Sequence, residues 1–390
     1  MKHGDLVSKM TLEEKCALLA GKDVWHTRDI PRLNIPAITL SDGPSGLRKQ
    51  AGEGDHLGLN ASTKATCIPS AATLACSWDD TVSEAMGAVV GRDAANQGVD
   101  VLLAPGLNTK RSSLCGRSFE YYSEDPYLSG KLAAGFIRGA QKQGVSACAK
   151  HYAANAQELL RMHSDSVMDE RTLREMYLTN FEIAIKEGKP GFVMTAYNRV
   201  NGVYANESRH LLGDILRGEW GFDGAVVTDW GGSNSIVEGV REGMNLEMPA
   251  AGDDSPCQLV KAVKDGTIDE KIVDERVDQL LDFVLAARKS GETSFDAAKQ
   301  HQAAEAAAEK CLVLLKNDEH LLPLKKDARV AVIGEFAARP RYQGAGSSMV
   351  NAAQVDDTLP MMVEFFRSRV GFAQGFQRVV IAFDGVADVE

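Results

Sequence analysis

The sequence predicts an α/β protein, a (β/α) barrel followed by a shorter second α/β unit. Three observations carry this. From about residue 36 to 250, short apolar runs end in small or polar residues and alternate with longer segments of helical periodicity, as a parallel sheet covered on both faces requires. Seven such units over that length fit a barrel better than an open sheet. Beyond Pro249 the pattern changes to acidic helices and a polar connection, after which a new strand, a glycine-rich loop and a helix begin. A chain of 390 residues has room for a barrel of roughly 250 residues and a remainder.

The candidate strands in order are AITLSDG, SAATLACSW, VDVLLAPGLN, VSACAKHYAAN, GFVMTAYNRVNG, GAVVTDWGG and NLEMP. Between them, TVSEAMGAVVGRDAANQG reads as a helix capped by Thr81 and stopped at Gly98. Asp169 caps a second helix whose apolar face includes Leu173, Tyr177, Phe181 and Ile185 and which stops at Gly188 and Pro190. The polar stretch SGETSFDAAKQHQAAEAAAEK is an interdomain connection. The new unit then offers strand RVAVIG, loop RYQGAGSS, helix TLPMMVEFF and strand VGFAQG. Two strands and one or two helices are too little to fold alone, so this second domain reads as truncated. The boundaries that follow are 1–288 for the barrel, 289–310 for a linker and entry helix, and 311–390 for the partial domain.

Composition excludes several classes. A net charge of −11 with no Lys/Arg cluster argues against nucleic acid as a partner. No stretch approaches the roughly 18 apolar residues of a spanning helix, and the first residues lack the apolar core of a secretory signal, so a cytoplasmic address and no membrane partner are expected. Cys16, Cys67, Cys76, Cys115, Cys148, Cys257 and Cys311 are odd in number and scattered, which predicts reduced thiols. Neither a C-x-x-C pair nor an H-E-x-x-H pair occurs; no metal and no cofactor are expected.

In a (β/α) barrel the chemistry sits at the C-terminal ends of the strands. Several apolar runs here end in polar residues: Asp42 after AITLS, Lys150 and His151 after VSACA, Tyr197 after FVMTA, and Asp229 after GAVVT. An Asp before Gly is commonly a turn or cap residue, so each alone has a structural reading. Asp229 is the sharpest, a carboxylate followed by Trp230, Gly231 and Gly232, fit to be a nucleophile at an anomeric carbon or a general base. Trp230 offers a sugar an apolar platform. With Arg48, Arg117 and Arg161, the set is dense in donors and acceptors and suits a polyol.

The strings SDGPSGLR, GRSFEYYSEDPYLSG, KHYAANAQE, VMDERTLREMYLTNFE, MTAYNRVNG and VVTDWGG resemble the motifs of glycoside hydrolase family 3, especially its β-glucosidases, in the family's order from about residue 8 to 350. EKCLVLLKNDEHLLPL resembles the start of the family's second domain. The resemblance implies a (β/α)8-type TIM barrel, then part of an α/β-sandwich, and a retaining hydrolase of terminal non-reducing β-D-glucosyl or related β-glycosyl residues. Asp229 would be its nucleophile. Asp42 would grip hydroxyls at the far side of the glycone. Arg48, Arg117, Lys150, His151, Arg161 and Tyr197 would line the same subsite, with Met194 and Trp230 as apolar walls. Ser347 or Ser348 would approach from the second domain. Lys150 and Arg117 should also keep Asp229 ionised.

Two departures stand out. Asn245 in MNLEMP takes the place of a common acidic residue, a conservative change. The family's general acid/base Glu matches no residue here, and Glu120, Glu124, Asp125 and Glu247 read as structural anchors. KHYAANAQE also lacks the K-H-F-P-G-type run of the family branch with a His and Asp dyad, so His163 is read as a loop residue. Two alternatives therefore stay open: a catalytically impaired sugar-binding fragment, and an aldolase with Lys150 as Schiff-base amine. The expected partners are small β-glycosides or oligosaccharides, with a homo-oligomer or a complementing C-terminal fragment left open.

Overall fold

The computed structural model describes residues 1–52, 54, 60–286, 296–376, 381–383 and 386–389. The chain divides into two units, one of residues 1–312 with 343–353, the other of residues 313–342 with 354–390. The predicted linker thus splits differently. Its helix, Ala297–Lys310, belongs to the first unit and packs on the helix Asp80–Asn96, while residues 289–295 of the predicted linker lie outside the described residues.

In the first unit, strands β1 (Leu40–Asp42), β2 (Val101–Leu103), β3 (Ser146–Tyr152), β4 (Phe192–Thr195) and β5 (Ala225–Val227) form a parallel sheet whose spatial order is the chain order. Parallel bridges carry it on from Val227 to Leu246 and from Glu247 to Ala20. Antiparallel bridges between Gly21 and Thr27, and between His26 and Thr39, bring it back to the residue before β1. Side chains alternate between two cores, as the period of two in a strand dictates. Leu40, Val101, Leu103, Cys148, Met194, Val227 and Leu246 share one apolar cluster; Leu102, Ala147, Ala149, Val193 and Val226 share the other with the crossover helices. Burial on both faces explains the unbroken apolar runs.

The crossover helices are set by local signals. Asp79, not Thr81, caps Asp80–Asn96; its carboxylate accepts from the Thr81 backbone N–H at 2.9 Å. Asp125 caps Pro126–Gln141 in the same way. These two helices cross with almost no space between backbones: a Cβ added at Gly87 would lie 2.1 Å from the Phe136 carbonyl oxygen, and one at Gly139 would lie 2.0 Å from that of Glu84. Asp169 caps the next helical stretch, which runs from Glu170 to Gly188 and includes wider π-type turns.

One expected strand is a helix. SAATLACSW contains the short helix Ala71–Ala75, because the Ser70 hydroxyl accepts from the Thr73 N–H and the alanines favour helix over sheet. NLEMP makes single bridges rather than a full strand.

The second unit has a parallel pair, Val330–Ile333 with Val370–Ala373, and the helix Thr358–Phe366. Phe336 packs edge-on to Phe376, with ring centroids 5.6 Å apart. Among the described residues no helix is long and apolar enough to cross a membrane.

Candidate active site

A cavity of about 410 Å³ opens beside the C-terminal ends of the strands. Its charged lining includes Asp42, Lys150, Asp229, Arg117 and Arg161. Lys150 and His151 both reach it although neighbours in a strand normally point to opposite faces. The pairing of β3 with β4 shows why: Lys150 opposes Met194 and Tyr152 opposes Thr195, so His151 is an extra residue in an irregular ladder. Tyr152 turns outward into the helix-side core and donates to the Leu211 carbonyl at 2.9 Å.

The cations and carboxylates are paired. Lys150 Nζ lies 3.3 Å from Asp42 Oδ1, both groups buried. Burial drives the Asp42 carboxyl upward, against the pull of Lys150 and with the charges of Asp229 and Glu120 adding to the rise. Arg117 Nε donates to Glu120 Oε1. Burial opposes the charge of Arg117, but Glu120, Tyr121 and Asp229 more than offset this and raise its pKa. Arg161 lies over the Tyr197 ring, 4.7 Å from its centroid, and donates to Glu158 at 2.9 Å. Burial pushes the Glu158 carboxyl up despite Arg117 and Arg161.

His151 is held neutral. Its burial, together with Arg117, Lys150 and Arg161, lowers its pKa well below the ordinary value. Arg117 Nη2 donates to its Nε2 at 2.9 Å, so the ring proton is assigned to Nδ1, which faces the Tyr121 hydroxyl at 3.1 Å and Asn108 Oδ1 at 3.3 Å. The approach of His151 Nε2 to Asp229 Oδ2, 3.5 Å, is therefore no ion pair.

Asp229 follows β5 and Thr228. Its Oδ1 accepts from the Trp230 N–H at 2.8 Å, and its Oδ2, buried, has no hydrogen-bond partner among the described residues. Two glycines shape the turn. Gly231 has φ +80°, and a Cβ on Gly232 would lie 3.0 Å from the Tyr197 ring and 3.1 Å from the Asp229 carbonyl oxygen. The Tyr197 hydroxyl donates to the Trp230 carbonyl at 2.9 Å; burial and the Asp229 charge keep that phenol protonated.

Nine of the ten residues singled out in the sequence line this cavity: Asp42, Arg117, Lys150, His151, Arg161, Met194, Tyr197, Asp229 and Trp230. Arg48 is not among the lining residues; it is buried in the turn after β1, its N–H donating to the Asp42 carbonyl at 2.8 Å. Ser348 lines the cavity from the segment 343–353, which pairs Asn351 and Ala352 with Lys64 and Ala65; the Ser347 side chain lies outside what the structure describes. Trp25 and Phe119 also line the wall and were not foreseen. Phe119 sits inside the quoted GRSFE string, but Trp25 follows no apolar run that would have flagged it. Glu120 was read as an anchor; it both pairs with Arg117 and touches the cavity. Asn245 accepts from Arg217 at 2.7 Å and from the Val226 N–H at 2.8 Å, away from the cavity. Among the described residues no cluster of His, Cys, Asp or Glu is arranged to hold a metal ion, and all seven cysteines are unpaired.

The profile of the glycosyl hydrolase family 3 N terminal domain matches residues 32–283, and that of the family's C-terminal domain matches 312–382. The chain belongs to glycosyl hydrolase family 3. It is 48% identical over 354 residues to thermostable beta-glucosidase B of Acetivibrio thermocellus, covering 90% of this chain and 47% of that protein. It is 40% identical over 386 residues to an exo-alpha-(1->6)-L-arabinopyranosidase of Bifidobacterium longum, covering 95% of this chain and 50% of that one. The crystal structure of a Bifidobacterium adolescentis family 3 beta-glucosidase superposes with a TM-score of 0.88 at 39% identity, over 95% of this chain and 53% of the other. This family 3 chain thus spans about half the length of the curated relatives it matches.

Proposed function

We propose that the first unit is a (β/α)8-type barrel carrying the glycone site of a retaining hydrolase that removes terminal non-reducing β-D-glucosyl or related β-glycosyl residues. The second unit is read as part of an α/β-sandwich, and the protein is given a cytoplasmic address. The observation that carries the chemistry is Asp229, a buried carboxylate that lines a cavity rich in charged and polar groups and has one oxygen without a hydrogen bond among the described residues. That oxygen attacks the anomeric carbon. The C1–O bond breaks, its electron pair leaves on the aglycone oxygen, and a glycosyl ester forms. Water then attacks C1, gives its proton to the conjugate base of the group that protonated the leaving oxygen, and returns Asp229 to its carboxylate. Asp42, Arg117, Lys150, His151, Arg161, Met194, Tyr197 and Trp230 form the sugar subsite, and Arg48, off the cavity wall, braces the turn that carries Asp42. A glucosyl glycone follows the beta-glucosidase names of the relatives, and the arabinopyranosidase keeps a pentosyl glycone in view.

A retaining mechanism needs a second carboxyl about 5 to 5.5 Å from the first to protonate the leaving oxygen. Of the other carboxylates lining the cavity, Asp42 is held by Lys150 and Glu120 by Arg117. We assign neither as the acid and place the proton donor outside the described residues, on a complementing C-terminal fragment. The same pairing commits Lys150 Nζ to Asp42 at 3.3 Å, which disfavours the aldolase reading.

The test is labelling of the chain by a 2-deoxy-2-fluoroglucoside with a dinitrophenolate leaving group, which needs no protonation to depart. One glucosyl ester on Asp229, absent in Asp229→Asn, with cellobiose hardly cleaved, is the expected result. Labelling elsewhere would overturn the nucleophile, and brisk cellobiose hydrolysis would overturn the missing donor. Sugar binding without any ester would favour the non-catalytic fragment.

A further inference from the structure

Trp25 has no part in the chemistry above, yet it lines the same cavity. It lies in the segment that closes the sheet between residue 247 and β1. Its carbonyl accepts from the Leu40 N–H at 2.8 Å, and His26 bridges to Thr39. Counted around the sheet, β2, β3 and β4 lie on one path from Asp42 to Asp229, and Trp25 lies on the other.

The indole is fixed on both sides. Trp25 Nε1 donates to Gln50 Oε1 at 2.7 Å, and its ring meets that of Trp230 with centroids 5.1 Å apart and planes inclined by 36°. Trp230 Nε1 donates in turn to the Val24 carbonyl at 2.8 Å. With both N–H groups committed to the protein, the pair presents only carbon to a ligand.

A pyranose with C1 at Asp229 and its distal hydroxyls at Asp42 lies across the cavity. The groups that read hydroxyls, Arg117, Lys150, His151 and Arg161, come from β3 or from the segments after β2 and β3, on the path around the sheet that does not include Trp25. The less polar edge of the sugar, from the ring oxygen to C5 and its substituent, then turns to the indoles. We propose that Trp25 packs against the C5 substituent of the glycone and sets the preference for hexopyranoses, which carry a hydroxymethyl group there, over pentopyranoses, which carry hydrogen. This rests on the roles given to Asp229 and Asp42.

Glucose and xylose differ only at that position, so titration calorimetry of the 390-residue chain with each sugar reads the contact directly. In Trp25→Ala, glucose affinity should fall about tenfold, the scale of one or two apolar groups in a pocket, while xylose affinity should change less than about twofold. Trp25→Phe, which keeps an aromatic ring and guards against a folding defect, should lie between. Equal losses for both sugars, or an unchanged ratio in both variants, would overturn the proposal. Fluoroglucoside labelling of the wild-type chain separates the two levels. Label on Asp229 with an unchanged ratio defeats Trp25 alone, whereas no label and no binding of either sugar defeats the underlying site and this inference with it.

Discussion

Arg117 Nη2 donates to His151 Nε2 at 2.9 Å, so the imidazole faces Asp229 with a lone pair already engaged and not with a proton. The guanidinium is thereby the cation nearest this edge of the ring, and His151 serves as a neutral spacer that orients it. A buried neutral histidine has a stability signature. Unfolded, it takes up a proton below its ordinary pKa of 6.5; folded, it does not, because its pKa is held well below that. Its contribution is therefore intact above 6.5 and is lost as pH falls, by up to about 1.4 kcal/mol per pH unit. Asp42, with its pKa raised, works in the opposite sense, since the folded state binds the extra proton. Urea unfolding of the wild type and His151→Gln across this range isolates the histidine, because Asp42 is common to both. The wild type should lose more stability on acidification; parallel curves would show that His151 is charged in the folded protein.

Lys150 and Asp42 form a buried pair at 3.3 Å. Removing only the cation leaves a carboxylate without its partner, a change that costs about 3–5 kcal/mol where the charge is retained. Lys150→Met should lower the unfolding midpoint sharply, and the double variant with Asp42→Asn should regain at least half of the loss. If the double variant is no better than the single, the lysine stem, and not the charge pair, is what the fold needs.

The site was legible where it followed the strands. Asp42, Lys150, Tyr197 and Asp229 each follow an apolar run, and the sheet carries all four to one cavity. That Lys150 and His151 share a face depends on one irregular pairing between β3 and β4, which no periodicity reveals. Trp25 escaped notice because the segment that carries it closes the sheet through isolated antiparallel bridges, without a strand-like apolar run. The stretch SAATLACSW was misread because a short run of small apolar residues fits strand and helix alike; the Ser70 cap decides for helix.

Glycines on the paired helices Asp80–Asn96 and Pro126–Gln141 give a sharp contrast with one elsewhere. Gly87→Ala would force a methyl to within 2.1 Å of the Phe136 carbonyl, so the helices must separate; a loss of about 1–3 kcal/mol or more is expected. Gly213, in the helical stretch Arg209–Glu219, has its nearest atom at 3.5 Å. Gly213→Ala should be neutral or stabilise by up to about 1 kcal/mol, since it only removes unfolded-state freedom. Thermal unfolding of the two variants checks both signs.

Gly231 and Gly232, adjacent in the turn after Asp229, should separate folding from chemistry. Gly231 has φ +80° and open space where a Cβ would go, so Gly231→Ala costs backbone strain of about 1–2 kcal/mol but presses on nothing. Gly232 carries no such backbone demand; its Cβ would press on the Tyr197 ring at 3.0 Å and on the Asp229 carbonyl at 3.1 Å, while its N–H donates to that same carbonyl at 2.8 Å. The strain in Gly232→Ala is relieved by moving the residue that bears the nucleophile. A displacement on the order of 1 Å costs about a hundredfold in rate where geometry is tight. Fluoroglucoside labelling should therefore slow by tenfold or more in Gly232→Ala and little in Gly231→Ala, with the larger stability loss in the latter. The reverse ranking would mean that the Asp229 carboxylate is positioned independently of this turn.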